Sequence, residues 1–152
     1  EDRADAALAD DWLSLLHAER VDFTLAWRRL ADAARGDEAP LRALFVDAHA
    51  PDAWLTRGGA RCASESCAAD RGSALCGTER ARAMRNVNPL VIARNHRVEE
   101  ALTAASDRGD LGPFERLLDA LTQPYDDAGE RTPYAEPAPA AVTACYRTFC
   151  GT

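Results

Sequence analysis

The chain has 152 residues, a net charge of −7 and 47% hydrophobic content, much of it alanine. That length suits one domain with a modest core, and the acidic balance argues against a nucleic-acid or anionic-membrane partner, which requires clustered positive charge. Lysine is absent, the basic residues are 18 scattered arginines, and no apolar run approaches the ~20 residues of a membrane span or follows a charged leader.

Alanine and arginine both favour helix, so the composition points to an all-α fold. The first helix is expected over about residues 4–20, with Leu8, Trp12, Leu15 and Leu16 forming one stripe at i, i+4, i+7 and i+8. Asp22 is an N-cap for a second helix carrying Phe23, Trp27, Leu30 and Ala34, and Gly36 is its stop. Asp37 then caps a shorter helix with Leu41, Leu44, Phe45 and Ala48 on one face. Pro51 opens a short helical piece bearing Trp54 and Leu55, which Gly58-Gly59 ends. Residues 58–78 are rich in Gly, Ser and Ala, and predict a loop or weak surface helix.

Beyond them Asn88 and Pro89 predict the cap and first position of a strong helix, with Val91, Val98, Ala101, Leu102 and Ala105 as its stripe and Gly109 as its stop. Asp110 caps the next helix, where Phe114, Leu117, Leu118 and Leu121 repeat at i, i+3, i+4 and i+7. Pro124 ends it. Residues 124–144 hold four prolines and few large apolar groups. The organisation expected is therefore a bundle of five or six short helices over 1–123 and an extended Pro-rich tail over 124–152.

The usual catalytic patterns are missing. There is no GxGxxG, no Walker phosphate loop, no HExxH and no kinase-type HRD or DFG. Glu99 and Glu100 are adjacent and so point about 100° apart on a helix, which suits a solvated face better than a shared site. The five cysteines are Cys62, Cys67, Cys76, Cys145 and Cys150, separated by 4, 8, 68 and 4 residues. No CxxC occurs, and His17, His49 and His96 stand apart from them, so zinc-ligand spacing is not met. Reduced thiols in a cytosolic setting are the expectation. Arg94, Asn95, His96 and Arg97 crowd one turn of a helix although Asn and His are mediocre helix formers. A ligand cluster is one reading; the favoured one is a polar surface, Arg94, Asn95 and His96, docked on a neighbouring domain.

The stretch "NVNPLVIARNHRVEEAL" resembles the C-terminal part of the selenoprotein O family. The family's NP, RN, Glu-rich helix, GD and PY appear here as Asn88-Pro89, Arg94-Asn95, Glu99-Glu100-Ala101, Gly109-Asp110 and Pro124-Tyr125. Upstream, "VDFTLAWRRL" is similar to the family's D-x-T helix through Asp22 and Thr24, "LRALFVD" with Trp54 also fits, and "YRTFCGT" is similar to a bacterial family terminus.

This resemblance implies a parent enzyme with a protein-kinase-like fold. Such an enzyme transfers AMP from ATP, with a divalent metal such as Mg²⁺, to hydroxyl side chains of proteins. It implies that this chain is a C-terminal helical portion, inactive alone, whose partners are the N-terminal kinase-like core and the parent's protein substrates. No catalytic, cofactor-binding or metal-binding residue carries over, and the absent initiator Met is expected from the same cause. The position that maps is Cys150, near the tail thiol or selenol of the family; its redox partner is expected in the parent's missing core or, within this chain, at Cys145. A second reading is a free-standing helical interaction module whose cysteines sense oxidant.

Overall fold

The computed structural model describes residues 3–68, 73–128 and 133–145. Among them lie eight helices and no strand, so the all-α class holds: α1 Arg3–Ala18, α2 Phe23–Ala33, α3 Ala39–Arg42, α4 Asp52–Ala68, α5 Ser73–Val87, α6 Asn95–Arg108, α7 Gly112–Thr122 and α8 Ala140–Cys145. They fall into two compact units, Glu1–Asn88 and Pro89–Thr152.

The first unit is organised around Trp12. It is wholly buried with Leu16, one turn along α1, and packs with Ala26 and Leu30 of α2, Leu41 of α3 and Phe45. The Trp54 ring lies 4.4 Å from that of Trp12 and tilted to it, while Trp27 meets it edge-on at 6.1 Å. Such tilted and edge-on contacts suit the ring quadrupole. Trp54 of α4 also donates its indole N–H to the Leu8 carbonyl at 2.8 Å, which joins α4 to α1.

Asp22 caps α2 as expected, its carboxylate accepting from the Leu25 N–H at 2.9 Å. Gly36 adopts φ 94°, a left-handed conformation that favours glycine. The buried face of α2 is rotated from the predicted stripe. Ala26, Leu30 and Ala31 go inward with Arg28 and Asp32, and Phe23 is 58% exposed. Both charges find partners across the α2–α5 contact, and Asp32 finds two more on its own stretch of chain. Arg28 donates to the carbonyls of Arg85 and Asn88, at 3.1 and 3.2 Å, satisfying groups that a helix end leaves open. The Asp32 carboxylate accepts from Arg35 at 2.8 Å, from Arg29 and from Arg85.

Three boundaries differ from the sequence reading. First, α3 is a single turn with Glu38, not Asp37, at its N-cap position. Second, α4 runs through Gly58-Gly59, and most of 58–78 is helical. Glycine costs about 1 kcal/mol in a helix, but tertiary contacts offset it here: Arg57 pairs with Asp11 at 2.8 Å and Arg61 grips Asp5 with two bonds of 2.6 and 3.0 Å. Third, Asn88 closes α5, donating its side-chain amide to the Met84 carbonyl at 2.9 Å, and does not cap a helix beginning at Pro89.

Gly77 of α5 approaches α2 closely. A Cβ added there would lie 2.5 Å from the Ala34 carbonyl oxygen. Gly77→Ala is therefore expected to destabilise by about 1–3 kcal/mol through overpacking, although Ala is ordinarily the better helix former. Urea unfolding measures this, and a neutral or stabilising effect would contradict the close approach.

In the second unit, residues 89–94 are irregular because Leu90 and Val91 are buried and donate their N–H groups to the Pro124 carbonyl at 2.7 and 3.2 Å. The helix starts only at Asn95. Its stop is as expected: Gly109 takes φ 64°, and the N–H groups of Gly109 and Asp110 return to Ala105 and Ala104. α6 and α7 pack on each other, and Ala101 and Ala104 of α6 and Leu117 of α7 are buried. Asp110 accepts from the Gly112 N–H at 2.9 Å, although Leu111 holds the N-cap position. The described part of the stretch after Pro124 is not simply extended. Ala135 is buried, and α8 forms at Ala140–Cys145.

Candidate functional site

The polar cluster singled out in the sequence sits at the start of α6. Its members point in different directions. Arg94 is 9% exposed and donates Nη2 to the Ala135 carbonyl at 3.1 Å. Arg97 donates Nε to the Pro133 carbonyl at 3.3 Å and Nη1 to Glu100 at 2.8 Å. Two arginines one helical turn apart thus hold segment 133–135 against α6. Sequence reasoning missed Arg97 as a positioning residue; its spacing of three from Arg94 is the signal that was there. Asn95 between them is exposed.

His96 is half-buried, and its Nε2 is shielded from solvent without a hydrogen-bond partner. Burial, then the positive charges of Arg97 and Arg94, lower its pKa below the usual histidine value, while Glu100 acts weakly in the opposite direction. The neutral ring is therefore the folded form at neutral pH. With the folded pKa depressed, the unfolded chain binds more protons as pH falls through about 6.5, so stability is full above that pH and declines below it. His96→Asn is expected to flatten that acid-side decline. Urea midpoints measured between pH 5 and 7.5 test this, and an unchanged slope in the variant would assign the decline to other groups.

Of the five thiols only that of Cys62 is among the described side chains, so a pairing of Cys145 with Cys150 lies outside them. Cys62 is half-buried on α4. Cys145 ends α8, and Cys150 lies outside the described residues. The side chains of Cys67 and Cys76, both on helices, lie outside them also. Among the described residues no group of three or more His, Cys, Asp or Glu side chains converges as a metal site would require. No helix among them is long and apolar enough to cross a membrane.

No family model matches the sequence. Curated proteins do, over essentially the whole chain. It is 47% identical over 151 residues to protein nucleotidyltransferase YdiU of Cereibacter sphaeroides, covering 99% of this chain and 28% of that protein. It is 49% identical over 148 residues to the protein of the same name from Chromobacterium violaceum, covering 97% and 29%. Over 152 residues it is 40% identical to that of Agrobacterium fabrum, covering 100% and 29%. The match lies in the C-terminal part of these longer proteins, and the chain spans less than a third of their length. The resemblance to the selenoprotein O family read from the NP, RN and GD motifs is borne out along the whole chain.

Proposed function

We propose that this chain is the helical accessory portion of a protein nucleotidyltransferase of the selenoprotein O type. The observation that carries the proposal is identity of 40–49% sustained over 97–100% of the chain with proteins of that name. The whole enzyme transfers AMP from ATP to hydroxyl side chains of proteins in the cytoplasm. ATP and Mg²⁺ belong to a kinase-like core outside this chain, and the chain alone is inactive.

Within this reading the start of α6 docks on that core. Asn95 is exposed and available to groups on another domain, and the half-buried His96 ring beside it completes the polar surface. Arg94 acts indirectly, by holding segment 133–135 in place. Cys150, with Cys145 as a candidate partner, is the redox-active element. Fast labelling of Cys150 by a thiol probe in the folded protein is the expected result.

A full-length chimera tests the assignment. In it the present chain replaces the matching part of the Chromobacterium violaceum relative, and transfer of labelled AMP from ATP to a protein acceptor is measured. The chimera should retain transfer within about tenfold of the parent enzyme. A folded, monodisperse chimera without transfer would contradict the proposal.

A further inference from the structure

We propose that the outer face of α7 is a docking surface, and that an apolar patch with a basic rim, on the part of the enzyme outside this chain, seats on it. Leu111, Phe114 and Leu118 are 55%, 46% and 52% exposed. Their spacing of i, i+3 and i+7 places them within an arc of about 60° at 100° per residue. They form one continuous stripe of large apolar side chains beside the inward-facing Leu117. Scattered exposed leucines are ordinary, but a contiguous stripe marks an interaction surface. Glu115 and Asp119, both exposed, border the stripe, while Arg116 lies on the far side of the helix. A partner with arginines or lysines around an apolar centre complements that rim.

The occupant follows from size. Three half-exposed side chains offer on the order of a few hundred Å², against ~800 Å² per partner in a stable complex of separate molecules. A second copy of this chain is therefore a poor candidate. A domain in the same polypeptide is a good one, because tethering gives an effective concentration in the millimolar range and a small patch suffices. Most of each matched relative lies outside the match. This inference rests on the proposed function, since it takes the chain to be part of such a longer protein.

The test compares labelling rates of an introduced thiol, resolved from the native cysteines by peptide mass spectrometry. Leu118→Cys reports on the stripe, Leu111→Cys repeats the reading if the first variant disturbs packing, and Arg116→Cys is the control on the opposite side. Each is made in the 152-residue chain and in the full-length chimera. Stripe positions should label at least tenfold more slowly in the chimera, with the control alike in both. Equal rates at the stripe would overturn the proposal. Labelling that is already slow in the isolated chain, and faster on dilution, would assign the stripe to a second copy and overturn it too. An active chimera with an open stripe removes the docking face and leaves the proposed function; a shielded stripe in an inactive chimera does the reverse.

Discussion

Replacing Trp12 with alanine is expected to lower the stability of the first unit by about 3–5 kcal/mol, the range for removing a large aromatic from a core. Trp12 is wholly buried and its ring meets those of Trp27, Phe45 and Trp54. An alanine there would leave a void among three other aromatics that cannot all close in on it. Trp12→Phe should cost much less. It keeps most of the packing and removes the indole N–H, which is buried without a hydrogen-bond partner and so carries a desolvation cost of about 1–3 kcal/mol. Urea unfolding followed by circular dichroism distinguishes the two variants. A cost below about 1 kcal/mol for Trp12→Ala would mean that this cluster is not the core of the unit.

Asp32→Ala is the second large effect, expected to cost about 3 kcal/mol. Asp32 is only 5% exposed, and its carboxylate receives Arg29, Arg35 and Arg85. Removing one partner of a buried ion pair leaves charge in a poorly solvated place, which costs about 3–5 kcal/mol. The lower figure applies because all three arginines keep part of their surface in water. Asp32 and Arg85 join α2 to α5, so a double-mutant cycle on this pair should show coupling above about 0.5 kcal/mol. Additive effects would show that the contact contributes little beyond its position.

These two residues also show what the sequence could and could not reveal. Trp12 lay on a stripe of helical period with Leu8, Leu15 and Leu16, so α1 and its buried face were legible. Asp32 was not, because one of its three arginine partners, Arg85, comes from a segment more than fifty residues away, and local pattern carries no such information. The same limit explains α4 and α6. Gly58-Gly59 is a helix stop by propensity, but ion pairs to Asp5 and Asp11 on α1 carry the helix through it. Asn88-Pro89 has the form of a helix start, yet burial of Leu90 and Val91 and their bonds to Pro124 hold that segment irregular. Signals that need no distant partner fared better: the Asp22 cap and the left-handed glycines at 36 and 109 are where they were expected.

The candidate site divides in the same way. Crowding of Arg94, Asn95 and His96 against helix propensity marked the start of α6 as unusual. Their different orientations became visible only with segment 133–135 in place, since Arg94 turns inward to the Ala135 carbonyl. On α7, Phe114 and Leu118 carry the same helical period as Leu117, yet only Leu117 of the three is buried. Period alone cannot say which side of an apolar arc finds cover within a unit and which is left for another domain.

AMP incorporation by the purified 152-residue chain alone decides whether it is an accessory portion. It is incubated with labelled ATP, Mg²⁺ and a protein acceptor that the Chromobacterium violaceum relative modifies in parallel. The chain should give only background label while the relative labels the acceptor. Turnover by the chain alone, abolished by chelating the metal, would contradict its assignment as an accessory portion and place a catalytic centre within these 152 residues.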